Sequence, residues 1–204
     1  MRKLLGGVLL GLSCVSFQVS SQDLELGLRD SSVSVDYSTV VQSHKINTPN
    51  KLDMIMLYNE PQDMGGSVRE SLLTSVGFQV KAEPDNKRDM DFSIGGRFIL
   101  SSIDNERSSA LALGGELSYF PSIFRQVGIL TEFFYAPSIL AFRNSEKYMW
   151  SSIQVDYFLM DNAGVFVGYR DVSMDKEVDD GLGGKTMTSI TLDDGLFMGL
   201  KLRF

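Results

Sequence analysis

The chain has 204 residues, of which 43% are hydrophobic, and a formal net charge of −7. This composition excludes a disordered chain, and beyond the N-terminus no apolar run reaches the roughly 18 residues that a membrane-spanning helix needs. The acidic balance argues against a nucleic-acid partner. A single cysteine and a single histidine exclude a disulfide framework and a zinc-ligand set, so we expect one domain without a metal or cofactor.

The N-terminal 21 residues have the pattern of a secretory signal peptide. Two basic residues precede a twelve-residue apolar run, and small or β-branched residues follow where a signal peptidase reads them. We predict cleavage after Ser21, which leaves residues 22–204 as the mature domain. An alternative is a lipid anchor on Cys14, although Gly11 stands where lipoprotein sites usually carry leucine.

From Leu24 onward, apolar and polar residues alternate, as in strands with one apolar and one polar face. In the third segment the apolar face is ambiguous, because Met54 and Met56 compete with Ile55 and Leu57. Ten strands are predicted, an even number as a closed bacterial up-and-down barrel requires. They lie at roughly 24–30, 32–41, 52–60, 68–82, 89–102, 108–120, 125–136, 147–159, 163–173 and 194–204.

The polar face separates a membrane barrel from a soluble sandwich, which would alternate in the same way. It is rich in Gly and Ser, which fit a narrow lumen in which opposite walls approach each other. Its charges also balance, which indicates paired ions in a poorly hydrated space. The predicted lumen charge network is Glu25, Arg29, Asp36, Lys81, Asp91, Arg97, Glu116, Glu132, Asp156 and Arg170, with Lys201 and Arg203 completing six acids against six bases.

The last strand ends in an aromatic residue preceded by apolar residues at every second position. This pattern resembles the C-terminal insertion signal of bacterial outer-membrane proteins, which the barrel assembly machinery reads. An ordinary amphipathic strand at the end of a soluble protein is the alternative. The predicted signal consists of Leu196, Met198, Leu200, Leu202 and Phe204.

Several motifs resemble those of the YfaZ-like outer-membrane proteins. The resemblance covers the chain from Leu72 onward and departs at residues 42–51, where we expect a longer connection. It implies a small outer-membrane β-barrel, sometimes called porin-like, and brings no catalytic residues. The matching motifs are the segment 131–140 with Glu132, three aromatic residues, a small residue and Pro137, the pairs Gly95-Gly96 and Gly114-Gly115, the triplet Gly168-Tyr169-Arg170, and the closing Phe204.

With both termini in the periplasm, the topology predicts which connections face outside and where aromatic girdles lie. Outer connections are expected near 30–31, 60–67, 102–107, 136–147 and 173–191, and inner ones near 42–51, 83–87, 121–124 and 160–162. The inner girdle is predicted from Tyr119, Phe120, Phe124, Tyr157, Phe158 and Phe204, and the outer girdle from Phe133, Phe134, Tyr135, Tyr148, Trp150 and Tyr169.

Catalytic and metal chemistry finds little support in the sequence. Ser43 and His44 are adjacent, so their side chains point apart and form a poor relay. The acidic segment 175–180 has oxygen ligands suited to Ca²⁺, but its spacing matches no binding loop. We therefore expect neither an enzyme nor a metal site.

Three functions stay open for a protein expected in the cell outer membrane. The first is a porin-like barrel with a narrow or plugged lumen and a structural or small-solute role. The second is a surface interaction protein that uses the loops 136–147 and 173–191 to recognise lipopolysaccharide, a divalent ion or another cell. The third, a lipid-modifying enzyme, is disfavoured by the single histidine. The expected partners are outer-membrane lipids, lipopolysaccharide and, during insertion, the barrel assembly machinery.

Overall fold

The computed structural model describes residues 19–43, 46–60, 70–82, 89–103, 106–124, 126–142, 145–179 and 185–204. Most of the predicted signal peptide, with Cys14, lies outside the described residues, as does His44. The cleavage site stays a prediction, and Val19–Ser21 belong to the first strand. The described residues include no helix long and apolar enough to cross a membrane.

Ten long strands form a closed antiparallel barrel, which confirms the predicted fold. Neighbours in sequence pair around the ring, and the first and last strands pair with each other to close it. The short β8 follows a 3-10 turn at Ser138–Leu140 and pairs with β6 beyond the end of β7. The strands are β1 (Val19–Leu28), β2 (Ser32–Ser43), β3 (Ile46–Asn59), β4 (Ser71–Lys81), β5 (Met90–Ile103), β6 (Glu106–Tyr119), β7 (Val127–Ala136), β8 (Ala141–Phe142), β9 (Ser145–Met160), β10 (Ala163–Asp179) and β11 (Lys185–Arg203).

Both described chain ends lie at one end of the barrel. Asp23 pairs with Arg203, and the backbone N–H of Phe204 donates to the carbonyl of Gln22 at 2.9 Å. In outer-membrane barrels with an even number of strands this end faces the periplasm. We call it the periplasmic end and the opposite end the outer end.

Two predicted connections are wrong, because the strands extend into them. Residues 173–179 and 185–191 are strand and not loop, since β10 and β11 stay paired as far as Asp179 and Lys185. Residues 42–43 and 46–51 likewise belong to β2 and β3, since Val40 pairs with Lys51 and β3 starts at Ile46. Strands that pass beyond the bilayer need no apolar face, so the loss of alternation did not mark their ends. The predicted connections 60–67 and 83–87 lie largely outside the described residues.

The two faces of the wall follow the alternation. Ile55 and Leu57 are buried in the lumen and Met56 is exposed, which resolves the ambiguous strand. Large apolar side chains are exposed on the outside of every long strand. Examples are Leu26, Val76, Ile94, Leu113, Phe133, Val155, Val167 and Leu200. The outer extension of β11 and the charged strand ends are the exceptions.

The aromatic girdles are smaller than predicted. Phe134, Tyr148 and Trp150 were expected at the outer lipid interface, and Phe158 at the inner one, but all four are buried inside the barrel. Each has the same parity along its strand as the lumen residues, so grouping aromatics by strand end was the error. The predicted girdle residues that are exposed on the outside are Tyr119, Phe124, Tyr157 and Phe204 at the periplasmic end and Phe133, Tyr135 and Tyr169 toward the outer end.

Two of the inward glycines, Gly95 and Gly114, bend the wall rather than bring opposite walls together, which corrects their predicted role. Gly95 and Gly114 face each other across β5 and β6. A Cβ on Gly95 would lie 2.0 Å from the carbonyl oxygen of Phe78, and one on Gly114 would lie 2.0 Å from that of Phe133. Both atoms belong to the next strand of the same wall. Such close backbone approach is how glycines curve a sheet into a small barrel.

Gly95→Ala is therefore expected to destabilise the barrel by about 1–3 kcal/mol, because β4 must shift to admit the methyl group. Its neighbour Gly96 is the matched control: an added Cβ there meets nothing closer than 3.6 Å. Gly96→Ala should change the free energy of unfolding by no more than about 0.5 kcal/mol. Urea unfolding of both variants in lipid vesicles measures the difference, and equal stabilities would contradict the curvature argument.

Candidate functional site

The outer half of the lumen contains a layer of apolar side chains that was not expected from the sequence, beside the serines and paired charges that were. All long strands from β3 to β11 contribute to this apolar layer. Ser101 on β5 reaches Met174 on β10, with 3.8 Å between Oγ and Sδ, so nearly opposite walls touch. The layer consists of Ile55, Leu57, Leu73, Ile99, Ile103, Ala110, Ala112, Phe134, Ala136, Tyr148, Trp150, Val172, Met174, Ile190 and Leu192.

Arg97 lies beneath this layer and is fully buried, with 0% of its surface exposed. Its Nη2 lies 3.1 Å from Asp53 Oδ2 and 3.1 Å from Glu132 Oε1. The guanidinium also stacks over the Phe134 ring at 4.1 Å and lies 5.3 Å from the centroid of the Trp150 ring. One side chain thus joins β3, β5 and β7 across the lumen, and its charge is compensated by two carboxylates and two aromatic faces.

Both carboxylates that contact Arg97 have further donors. The indole N–H of Trp150 donates to Glu132 Oε2 at 3.0 Å, and the Ser152 hydroxyl donates to the same oxygen at 3.2 Å. The Gln79 amide donates to Asp53 Oδ1 at 3.1 Å. Arg97 Nε, Arg97 Nη1 and Asp53 Oδ2 are buried without a hydrogen-bond partner among the described residues. The guanidinium therefore depends on the charges of Asp53 and Glu132 and on the aromatic faces, and the three charged residues act as one unit.

A second buried cluster centres on Asp193, near the outer end. Arg170 Nε donates to Oδ2 at 2.7 Å, Arg29 Nη1 donates to Oδ1 at 2.7 Å, and Ser32 Oγ donates to Oδ1 at 3.2 Å. Gly195 has a positive φ of 151°, and a Cβ there would lie 2.7 Å from Nη2 of Arg29. Only glycine fits that backbone and leaves room for the guanidinium.

The periplasmic half of the lumen holds a third cluster. Lys201 Nζ contacts Glu25 Oε1 at 2.7 Å and Asp156 Oδ2 at 2.8 Å. The amide of Gln154 donates to both of these carboxylates. On the facing side of the barrel, Lys51 forms an ion pair with Glu116 between β3 and β6.

Two polar spaces remain below the apolar layer. A cavity of about 390 Å³ opens at the periplasmic end and is lined by both charged and apolar residues, Lys81 and Asp91 among them. Above it, a chamber of about 40 Å³ reaches Trp150 and Arg170. In the described part of the chain, no group of three or more His, Cys, Asp or Glu side chains is arranged to hold a metal ion. The acidic segment 175–180 lies mostly where side chains are not described.

The predicted network residues occupy different depths. Arg97, Glu116, Glu132, Asp156 and Arg170 are buried and ion-paired, and Glu25 and Arg29 are half-buried in the clusters above. Asp36 lines the small chamber, whereas Lys81 and Asp91 lie at the periplasmic mouth.

Three charged members of these clusters, Lys51, Asp53 and Asp193, were not in the predicted network, and neither was Trp150. Lys51 fell in a predicted connection, and Asp53 in the strand with the ambiguous face. Asp193 adjoins a bulge, where Leu192 and Asp193 are both buried in succession and the alternation breaks. Trp150 has the parity of a lumen-facing residue on β9, although it was predicted in the outer girdle.

The predicted insertion signal forms one exposed row on the outer face of β11. Leu196, Met198, Leu200, Leu202 and Phe204 are all exposed, and Leu200 pairs with Leu26 where β11 closes the barrel. The row therefore lies on the lipid-facing side of the closing strand.

Comparison with known proteins identifies the family. The family profile described as YfaZ precursor matches residues 1–204. The chain belongs to the YfaZ family. The match includes residues 42–51, where a departure was expected, and extends the resemblance from Leu72 to the whole chain. No curated protein sequence matches this YfaZ-family chain.

Two solved outer-membrane proteins are similar to this YfaZ-family barrel. One is a major outer membrane protein from Thermus thermophilus, at 11% identity and a TM-score of 0.34. The other is the KdgM porin in complex with disordered oligogalacturonate, at 10% identity and a TM-score of 0.39. Each comparison covers 90% of this chain and 98% of the other. At these scores the likeness does not bear on substrate or conductance.

The family and the closed barrel with an apolar outer face together place the protein in the outer membrane. The YfaZ-family chain is a small, porin-like outer-membrane β-barrel, and its precursor carries a signal peptide. This confirms the predicted localisation and fold.

Proposed function

We propose that this barrel is a closed, non-catalytic outer-membrane protein rather than an open diffusion pore. The observation that carries the proposal is Arg97, fully buried between Asp53 and Glu132 beneath an apolar layer to which the long strands from β3 to β11 contribute. A ten-stranded wall encloses little more than its own side chains. The polar space that is left opens toward the periplasm and ends at Trp150 and Arg170. The proposed role is structural, with passage limited to very small solutes.

The purified protein is expected to give no steady single-channel steps of porin size in planar bilayers, and at most small or flickering conductance. The physical reason is that an ion would have to cross the apolar layer without water. Asp193→Asn, which weakens two arginine contacts at the outer end, should raise the frequency of brief openings. Large, steady, weakly selective steps from the native protein would contradict the closed-lumen proposal.

A second candidate function is surface interaction through the β10–β11 hairpin. A tilted strand crosses the bilayer in about 9–11 residues, whereas β10 has 17 residues and β11 has 19. The hairpin therefore supplies a paired, extended surface beyond the outer interface. Replacing residues 176–187 by a short turn should keep the barrel folded while abolishing binding of lipopolysaccharide to the protein in proteoliposomes. Unchanged binding would argue against this candidate.

We further propose that the exposed row on β11 is read by the barrel assembly machinery. Deleting Phe204 removes the terminal aromatic side chain, which is 71% exposed. The variant is expected to be exported and processed but to accumulate in the periplasm, as cell fractionation and heat-modifiable gel mobility would reveal. Lys185→Ala, remote from the C-terminus, serves as the control. Normal outer-membrane levels of the deletion variant would contradict the proposal.

A further inference from the structure

The periplasmic turn between β6 and β7 carries large apolar side chains where turns are normally polar. Ile123 is 85% exposed and Phe124 is 65% exposed. Turn residues are usually Gly, Pro, Asn, Asp or Ser, whose conformations and side-chain hydrogen bonds suit a turn in water. Two adjacent apolar side chains at this position need an apolar neighbour that the barrel itself does not provide.

Hydrogen bonds connect the described residues of this turn. The backbone N–H of Phe124 donates to the carbonyl of Pro121 at 3.0 Å, and that of Val127 donates to the carbonyl of Phe124 at 2.9 Å. The backbone N–H of Ser122 donates to Asp89 Oδ2 at 3.1 Å and so ties Ser122 to the residue before β5.

The turn and the outer face of β9 border a shallow, open groove of about 560 Å³, lined by Ser122, Ile123, Phe124, Gln126, Val127 and Tyr157. Val127 pairs with Tyr157 on the outward side of the wall. Val155, the outward-facing residue that precedes Tyr157 on β9, is exposed on the lipid-facing side. The groove is thus continuous with the lipid-facing surface of the barrel at its periplasmic edge.

We infer that this groove binds one acyl chain of a phospholipid of the periplasmic leaflet. Continuity with the lipid-facing surface selects lipid over a water-soluble partner. Apolar Ile123, Phe124 and Val127 suit the chain, and the ring of Tyr157 lines the same groove. Recognition is through the chain, so the headgroup should matter little. The inference depends on the membrane location and not on whether the lumen conducts.

Native mass spectrometry of the full mature protein, released from detergent with added phosphatidylethanolamine, tests the site. Ile123→Ser combined with Phe124→Ser should lower the occupancy of the first bound lipid by about tenfold, because the groove loses its apolar lining. The matched control is Ile139→Ser combined with Phe142→Ser at the outer end, where the native side chains are 82% and 47% exposed. That control should bind lipid as the native protein does.

The inference is contradicted if the groove variant keeps its bound lipid, or if the outer-end control loses as much bound lipid as the groove variant. A strong preference for phosphatidylethanolamine over phosphatidylglycerol would also overturn recognition by the chain. Should the double variant fail to insert, Phe124→Trp keeps the test decisive, with the native protein as the baseline because Trp150 is buried in the lumen. Phospholipid brominated on its acyl chains should quench the fluorescence that the added tryptophan contributes, and unquenched added fluorescence would contradict the inference.

Discussion

Replacing Arg97 by alanine is expected to lower the free energy of unfolding by about 3–5 kcal/mol. The substitution removes the cation that lies 3.1 Å from both Asp53 Oδ2 and Glu132 Oε1, and it leaves two carboxylates in a space closed to water from above. It also removes the guanidinium that stacks on Phe134. Urea titration of the vesicle-inserted barrel measures the effect, with Trp150, the single tryptophan of the chain, as the fluorescent reporter.

Two comparisons separate the lost ion pair from a general effect of losing arginine. Arg107→Ala, at an exposed position on β6, should cost no more than about 1 kcal/mol. Arg97→Met combined with Asp53→Asn and Glu132→Gln removes the charges together and should recover most of the stability, since no buried ion is left unpaired. If Arg97→Ala were as stable as Arg107→Ala, the buried cluster would not hold the walls together.

The fold could be predicted from the sequence because lipid and lumen impose opposite demands on successive residues. Along β4, for example, Val76 and Phe78 face lipid, while Ser75 and Gln79 are buried inside. This parity survives wherever a strand crosses the bilayer, which is why the ten segments and the closing strand were placed correctly. This parity gives no information where strands leave the membrane. In that region β10 and β11 extend well beyond the predicted strands.

The content of the lumen could be predicted only in part. Parity placed Arg97 and Glu132 inside, but it could not say that Arg97 contacts Asp53 two strands away, because such pairs depend on barrel radius and side-chain reach. An inward apolar residue such as Ile99 could not be recognised as a lumen residue, because apolar residues were predicted to face the lipid. The bulge beside Asp193 shifts the parity by one residue, and a local pattern cannot register that shift.

Val155→Arg is expected to destabilise the inserted barrel by about 2–4 kcal/mol, because its side chain faces lipid near the bilayer midplane. Val155 is exposed on the outer face of β9, and its pairing partners on the flanking strands, Ile129 and Val167, are apolar. Met160 is the matched control, since it is exposed at the periplasmic end of the same strand. Met160→Arg should cost only about 0–1 kcal/mol, because near the interface the side chain reaches water. Urea unfolding in vesicles measures both variants, and equal costs at the two depths would contradict the placement of β9 across the bilayer.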